Sequence, residues 1–176
     1  MLPNPFTFDR LIHLIVGWFF IDLLLYLFRR YEFNWEKYFY IYLFVSLGTW
    51  VPDWDLILGI GFHRSPLTHG IFPAILVAYL VKKYDFDPFI SIGFALGLSS
   101  HLFWDTIFYG DVRLIPGGTL DRIYLVSSGS ILLVFSLIYS RLCFKRELGL
   151  DKFLQEQRIK RNSRIKELKL KLSKEE

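Results

Sequence analysis

Five apolar runs alternate with short polar segments along the chain. A membrane-spanning helix needs about 20 apolar residues, and the runs have about this length or are a few residues shorter. A hydroxyl followed by proline, Ser65-Pro66, is typical of a helix start and marks the beginning of the third run. The runs cover residues 11–28, 38–51, 66–81, 89–109 and 123–144. The pattern predicts an all-α protein, a multi-pass transmembrane helical bundle of about five spans.

Two segments fall outside these runs. Residues 56–62 are apolar but too short to span, and we interpret them as an interfacial or re-entrant piece. Residues 145–176 are charged, with apolar side chains at helix-like spacing, and predict a C-terminal helical tail. We therefore expect a membrane-embedded domain over residues 1–144 and a tail over residues 145–176.

The composition supports the membrane assignment. Hydrophobic residues make up 53% of the 176 residues and aromatic residues 19%. A soluble domain of this size has too little interior to bury so much apolar surface, whereas a bilayer would solvate it. The single cysteine, Cys143, excludes an internal disulfide and a cysteine-rich zinc site. Any metal site must therefore use histidines and carboxylates.

The charges predict an orientation. The net charge of +4 is concentrated in the tail, where eleven basic and six acidic residues give +5 and leave −1 for the remainder. Basic residues also follow the first run (Arg29, Arg30, Lys37) and the third (Lys82, Lys83). With five spans all of these lie on one side, which the positive-inside rule makes cytoplasmic. We expect a cell-membrane protein whose tail contacts anionic lipid headgroups, and no nucleic-acid partner.

The same topology places the polar residues of the runs together at the opposite, extracytoplasmic face. The topology depends only on the basic residues, yet it places every histidine at the extracytoplasmic face. The residues are His13, Asp53, Asp55, His63, His69, His101 and Asp105. His101 and Asp105 are four apart on a helix, so both share one side and can ligate one ion. Imidazole and carboxylate suit zinc, with manganese or iron as alternatives.

Each piece has a plainer interpretation: a histidine can bond a neighbouring helix, and two aspartates near a membrane end can be solvated. Their joint placement favours a metal site. The joint pattern resembles the YdjM-like family of predicted membrane-bound metal-dependent hydrolases. The matching motifs are His13 with Gly17, residues 51–55 (VPDWD), residues 63–69 (HRSPLTH), and His101 with Asp105 before residues 114–116 (LIP).

A more distant similarity is to zinc-dependent phospholipase C and the zinc nucleases of the P1 type. It implies one ion held by Asp53 or Asp55, His69, His101 and Asp105. It also implies a second ion between His13 and a bridging Asp105. Those enzymes carry further histidines for another ion, and no histidine follows His101 here. One or two ions are therefore expected.

These resemblances imply a membrane-bound metal-dependent hydrolase that attacks a phosphoester of a lipid or lipid-linked substrate with a metal-activated water. The carboxylate of Asp53 or Asp55 that does not bind metal would act as base or orient a ligand. Arg64 would bind the phosphate, and His63 would be a further ligand or a substrate contact. The alternative is a non-enzymatic metal-binding or transport protein, or a membrane scaffold with a degenerate site that works through its tail.

Overall fold

The structure, a computed structural model, describes residues 8–28, 35–58, 64–109, 112 and 119–172. The described residues form helices and no strands, so the all-α prediction is confirmed. A 3₁₀ segment, Val51–Leu58, follows α2 directly. The α-helices are α1 (Phe8–Leu27), α2 (Trp35–Trp50), α3 (Phe72–Lys83), α4 (Phe89–Phe108) and α5 (Thr119–Leu172).

The chain divides into two compact units, Met1–Ser140 and Arg141–Glu176. The boundary predicted from the sequence follows Phe144. The first unit contains α1 to α4 and the candidate site.

Helix α4 is the centre of the first unit, with 14 of its 20 residues buried. Gly93, Gly97, His101 and Asp105 follow one another at intervals of four residues, so they share one side of the helix. A Cβ atom at Gly97 would overlap the carbonyl oxygen of Val45 in α2. The two backbones therefore touch, and the glycines bring α2 against the side of α4 that carries His101 and Asp105.

Two helices contain stretches long and apolar enough to cross a membrane, Arg10–Leu27 and Leu120–Phe144. Helix α3 has 12 residues, or about 18 Å at 1.5 Å per residue, which is shorter than a hydrocarbon core of about 30 Å. The structure therefore shows two helices of spanning length and apolarity among the described residues. The five-span topology stays a prediction.

The predicted helix start at Pro66 is wrong. Residues 66–71 form turns, in which the N–H groups of Thr68 and His69 donate to Ser65 O at 3.0 and 2.8 Å. Helix α3 begins only at Phe72, with Pro73 in its first turn. The reason is steric and hydrogen-bonding: a helix begun at Pro66 would carry Pro73 in its interior, where proline lacks the required N–H and clashes with the preceding turn.

Helix α1 exposes a row of large apolar side chains. Large apolar residues recur there every four positions and are about half exposed: Leu11, Ile15, Phe19, Leu23 and Leu27. The interior contains a hydrophobic cluster that joins α3, α4 and α5, but it also buries polar groups such as His13, Ser100 and His101. This distribution is unusual for a soluble domain, which rarely exposes a continuous apolar surface.

Candidate metal centre

The structure brings six of the predicted site residues together at one end of the first unit. They come from the start of α1, the 3₁₀ segment, the turn before α3 and the end of α4. They are His13, Asp53, Asp55, His69, His101 and Asp105. Residues more than 90 positions apart in the chain thus meet at one place.

His101 lies at the centre of the cluster and is fully buried. Its Nδ1 is 2.9 Å from the backbone oxygen of Thr49. A carbonyl oxygen only accepts hydrogen bonds, so Nδ1 carries the proton. In the neutral ring the lone pair is then on Nε2, which makes no hydrogen bond among the described residues. That atom lies 3.3 Å from Asp105 Oδ2 and 3.9 Å from Asp53 Oδ1.

His69 presents its two nitrogens to different groups. Its Nε2 is 3.6 Å from Asp105 Oδ2. Its Nδ1 is 3.0 Å from Thr68 Oγ1 and 3.4 Å from Asp55 Oδ2. Burial lowers the pKa of His69 below its ordinary value, which favours the neutral ring that a metal requires.

Asp55 and Thr68 form a support for His69. Thr68 Oγ1 donates to Asp55 Oδ2 at 2.7 Å, and the backbone N–H of Ser65 donates to the same oxygen at 3.2 Å. A threonine hydroxyl that donates to Asp55 can accept from the Nδ1–H of His69. This arrangement leaves Nε2 of His69 as the nitrogen directed at Asp105.

His13 completes the cluster from α1. Its ring stacks on that of His101, with centroids 4.2 Å apart and an angle of 16° between the planes. Its Nε2 is 3.9 Å from Asp105 Oδ1. The two oxygens of Asp105 therefore face different histidines, Oδ1 towards His13 and Oδ2 towards His69 and His101.

The glycine that follows His13 by one turn explains how α1 comes so close. A Cβ atom at Gly17 would lie 2.8 Å from Thr49 Cγ2 and 3.0 Å from Val45 Cγ1, both in α2. Real Cβ atoms hardly ever make contacts so short, so any larger residue would move α1 away. The His13-Gly17 spacing is thus a packing requirement that supports the stacked pair.

Two overlapping groups of side chains place their ligand atoms within 4.8 Å of one another: His13, His101 and Asp105, and Asp53, His69 and His101. Zinc holds nitrogen and oxygen at about 2.0–2.2 Å, so tetrahedral ligand atoms are about 3.3–3.6 Å apart. The contacts of Asp105 Oδ2 with His101 and His69 fall in this range. Those of Asp53 and His13 exceed it by a few tenths of an ångström.

The charges of the cluster also fit a cation. Arg10 Nε lies 3.8 Å from Asp53 Oδ2. Three carboxylates, those of Asp53, Asp55 and Asp105, belong to the cluster. Buried charges are stable when they are paired or coordinate a metal. A divalent ion would be attracted to this group of negative charges.

The remaining predicted site residues have different outcomes. Asp55, predicted as a ligand, belongs to neither group and lies against the Nδ1 side of His69. Arg64 has a positive φ of 60°, and its guanidinium lies 4.1 Å from the centroid of the Tyr109 ring. His63 lies outside the described residues. Asp22, which is not a predicted site residue, lies nine residues after His13 in α1 and accepts a hydrogen bond from the Tyr42 hydroxyl in α2 at 2.5 Å.

Sequence reasoning missed three contributors. Arg10 is three residues before His13 and therefore lies on the same side of α1. This spacing could have identified it from the sequence. The carbonyl of Thr49 carries no signal in the side chain. Tyr124 of α5 donates to the backbone oxygen of Pro66 at 2.7 Å and so holds the turn that contains His69. Only the tertiary structure shows that contact.

The support of His69 gives a testable prediction. Replacing Asp55 with asparagine, or Thr68 with valine, keeps the volume of the side chain but removes the charge or hydroxyl at Nδ1. Loss of such supporting hydrogen bonds typically costs 10- to 100-fold in metal affinity. We expect zinc affinity, measured by competition with a chromophoric chelator, to fall by about that factor. Unchanged affinity in both variants would show that Nδ1 does not need this support.

Comparisons with models of protein families, with curated proteins and with solved structures gave no match.

Proposed function

We propose that this chain is a membrane-bound metal-dependent hydrolase that acts on a phosphoester of a lipid or lipid-linked substrate. The observation that carries the proposal is the buried Nε2 of His101. The proton of the neutral ring is on Nδ1, which donates it to Thr49 O. The lone pair of Nε2 therefore faces Asp105 and Asp53. A lone pair directed at carboxylates is repelled by them. Either a metal ion between these groups or a second proton on the ring removes that repulsion, and the metal content of the purified protein distinguishes the two.

The donor set selects the class of ion. The candidate ligand atoms are imidazole nitrogens and carboxylate oxygens, with no sulfur, which suits zinc and also manganese or iron. Asp53, His69 and His101 would hold one ion. Asp105, whose Oδ2 faces His69 and His101 and whose Oδ1 faces His13, would join that ion or contribute to a second one, so one or two ions are expected.

The protein's own groups would supply orientation and proton transfer. A bound divalent ion provides a water of lowered pKa and polarises a phosphoryl oxygen. Asp55 and Thr68 fix the ring of His69, and Thr49 fixes that of His101. Asp55, which belongs to neither ligand group, takes the role expected of the aspartate that does not bind metal, that of a base or of a group that orients a ligand. Arg64 would bind the phosphate as a bidentate donor.

The distribution of apolar side chains supports the membrane part of the proposal. The stretches Arg10–Leu27 and Leu120–Phe144 are long and apolar enough to span, and only 22% and 33% of their residues are buried. The exposed stripe on α1 would be costly in water and favourable in lipid. The positive-inside rule then places the cluster at the extracytoplasmic face of the cell membrane and the basic tail in the cytoplasm, against anionic headgroups.

Hydrolysis by purified protein tests this proposal. The protein is reconstituted in phosphatidylcholine nanodiscs that contain phosphatidic acid, and released inorganic phosphate is measured. Water-soluble headgroup release from phosphatidylcholine is followed in parallel. We expect one of these reactions to proceed with zinc or manganese, to stop after chelation and to resume when metal is restored.

Stoichiometric metal without hydrolysis of either bond would overturn the enzymatic proposal and favour a non-enzymatic metal-binding protein. Absence of bound metal under all loading conditions would overturn the metal centre itself.

A further inference from the structure

Large apolar side chains stand exposed around the candidate metal centre. They are between 54% and 69% exposed, although each lies within three residues of a site residue in the chain. We call them the apolar rim: Trp54, Ile57, Leu67, Ile107 and Phe108. Buried polar ligands surrounded by exposed apolar groups are the reverse of a water-facing active site.

Sequence neighbours and ring contacts connect part of the rim to the cluster. Trp54 lies between Asp53 and Asp55 in the 3₁₀ segment, and Leu67 directly precedes Thr68 and His69. Phe108 packs on Trp104 with ring centroids 4.1 Å apart. The ring of Trp104 in turn meets that of His13 edge-on at 5.8 Å.

The depth of the rim in the membrane follows from where the two candidate spans begin. The first begins at Arg10, and His13 lies about 4.5 Å further along the helix axis. The second begins at Leu120, and Tyr124, which holds the turn containing Leu67, lies about 6 Å along that axis. Both spans therefore start at the level of the site, where hydrocarbon gives way to headgroups.

A cation and an aromatic ring at the same end fit that level. The guanidinium of Arg64 lies on the ring of Tyr109, one turn beyond Asp105. Tryptophan and tyrosine are enriched where membrane meets water, and arginine there binds anionic phosphate. Apolar rim, aromatic residues and basic group together match a layer that holds acyl chains below and phosphates above.

We propose that the apolar rim inserts into the lipid surface around the site, so that the substrate reaches the ligands sideways from the bilayer and not from bulk water. The evidence for insertion is the exposure of the apolar rim and the depth at which the two candidate spans begin. The route of the substrate rests, in addition, on the proposed function. The partner of this surface is thus the acyl-chain boundary of a membrane leaflet.

Fluorescence of Trp54 tests the insertion without any activity. The full-length protein and its Trp54→Phe variant are compared in phosphatidylcholine vesicles, so that the difference spectrum reports Trp54. We expect a blue-shifted difference spectrum, strong quenching by lipids brominated near the glycerol end, and weak quenching by iodide in the water. A red-shifted spectrum that iodide quenches and brominated lipid does not would overturn the insertion, and would leave the rim as a surface for water or for another protein.

Kinetics test the route. Leu67→Ser is compared with Ile75→Ser, a matched control at an exposed position of α3 that is not part of the apolar rim. We expect Leu67→Ser to lower turnover of a long-chain phosphatidic acid in nanodiscs several-fold more than that of a short-chain, water-soluble analogue. Ile75→Ser should not separate the two substrates.

The two proposals can fail separately. If neither substrate is hydrolysed, the proposed function fails while the fluorescence still decides the insertion. Equal losses on both substrates in Leu67→Ser would overturn the sideways route even in an active enzyme.

Discussion

Replacing His101 with alanine is expected to empty the metal centre. His101 belongs to both groups of candidate ligands, so the substitution removes a donor from each. Losing a direct ligand should cost more than losing a supporting residue, for which 10- to 100-fold is typical. We therefore expect metal content, measured by elemental analysis of purified protein, to fall to background. Hydrolysis of a lipid phosphate should fall by more than about 100-fold.

Asp105→Ala should give the same result, because each of its oxygens faces a histidine. The matched control is Thr106→Ala on the same helix, whose hydroxyl donates to the backbone oxygen of Leu102 at 2.8 Å. It should keep metal and activity. Unchanged metal content in both His101→Ala and Asp105→Ala would remove the proposed site, whatever the activity of the protein.

The second large effect is expected at Gly97. A single methyl group there would collide with the backbone oxygen of Val45, which cannot rotate away as a side chain can. Overpacking of this kind costs about 1–3 kcal/mol. We expect Gly97→Ala to lower the thermal unfolding midpoint in nanodiscs, and to weaken metal binding, because His101 lies one turn further along the displaced side of α4.

Gly129→Ala is the matched control, since both glycines lie inside helices. A Cβ atom at Gly129 would meet the ring of Phe103 at 3.4 Å, an ordinary contact. Alanine is favoured over glycine by about 1 kcal/mol inside a helix, so this variant should be neutral or slightly stabilised. If Gly97→Ala behaved like Gly129→Ala, the close contact of α2 and α4 would not hold in the folded protein.

The sequence pattern predicted the start of α3 wrongly because two proline signals competed there. Ser65-Pro66 has the form of a helix start, and the apolar residues that follow it continue without interruption. Pro73, seven residues later, also fits only the first turn of a helix, and the two prolines cannot both be accommodated by one regular helix. The structure resolves the conflict in favour of Pro73 and leaves His69 in a turn, where Tyr124 holds its backbone.

The assignment of the two aspartates shows a different limit. In the sequence Asp53 and Asp55 are equivalent, since either can be ligand or support. Their separation follows from the 3₁₀ segment, which directs Asp53 to Arg10 and His101, and Asp55 to Ser65, Thr68 and His69. No pattern of residue types contains that information, because it depends on the path of the backbone after α2.

By itself the sequence determined the helical class, the identity of most candidate ligands and their position near helix ends, because apolar periodicity and the cost of polar groups in apolar segments are local properties. It did not determine which nitrogen of each histidine faces the cluster, which aspartate supports which ring, or where α3 begins. Those depended on contacts between distant segments: the carbonyl of Thr49 at His101, the hydroxyl of Thr68 at His69, and the glycines that let α1, α2 and α4 touch. Hydrogen-bond geometry and close packing exist only after the chain has folded, so only the tertiary structure could decide them.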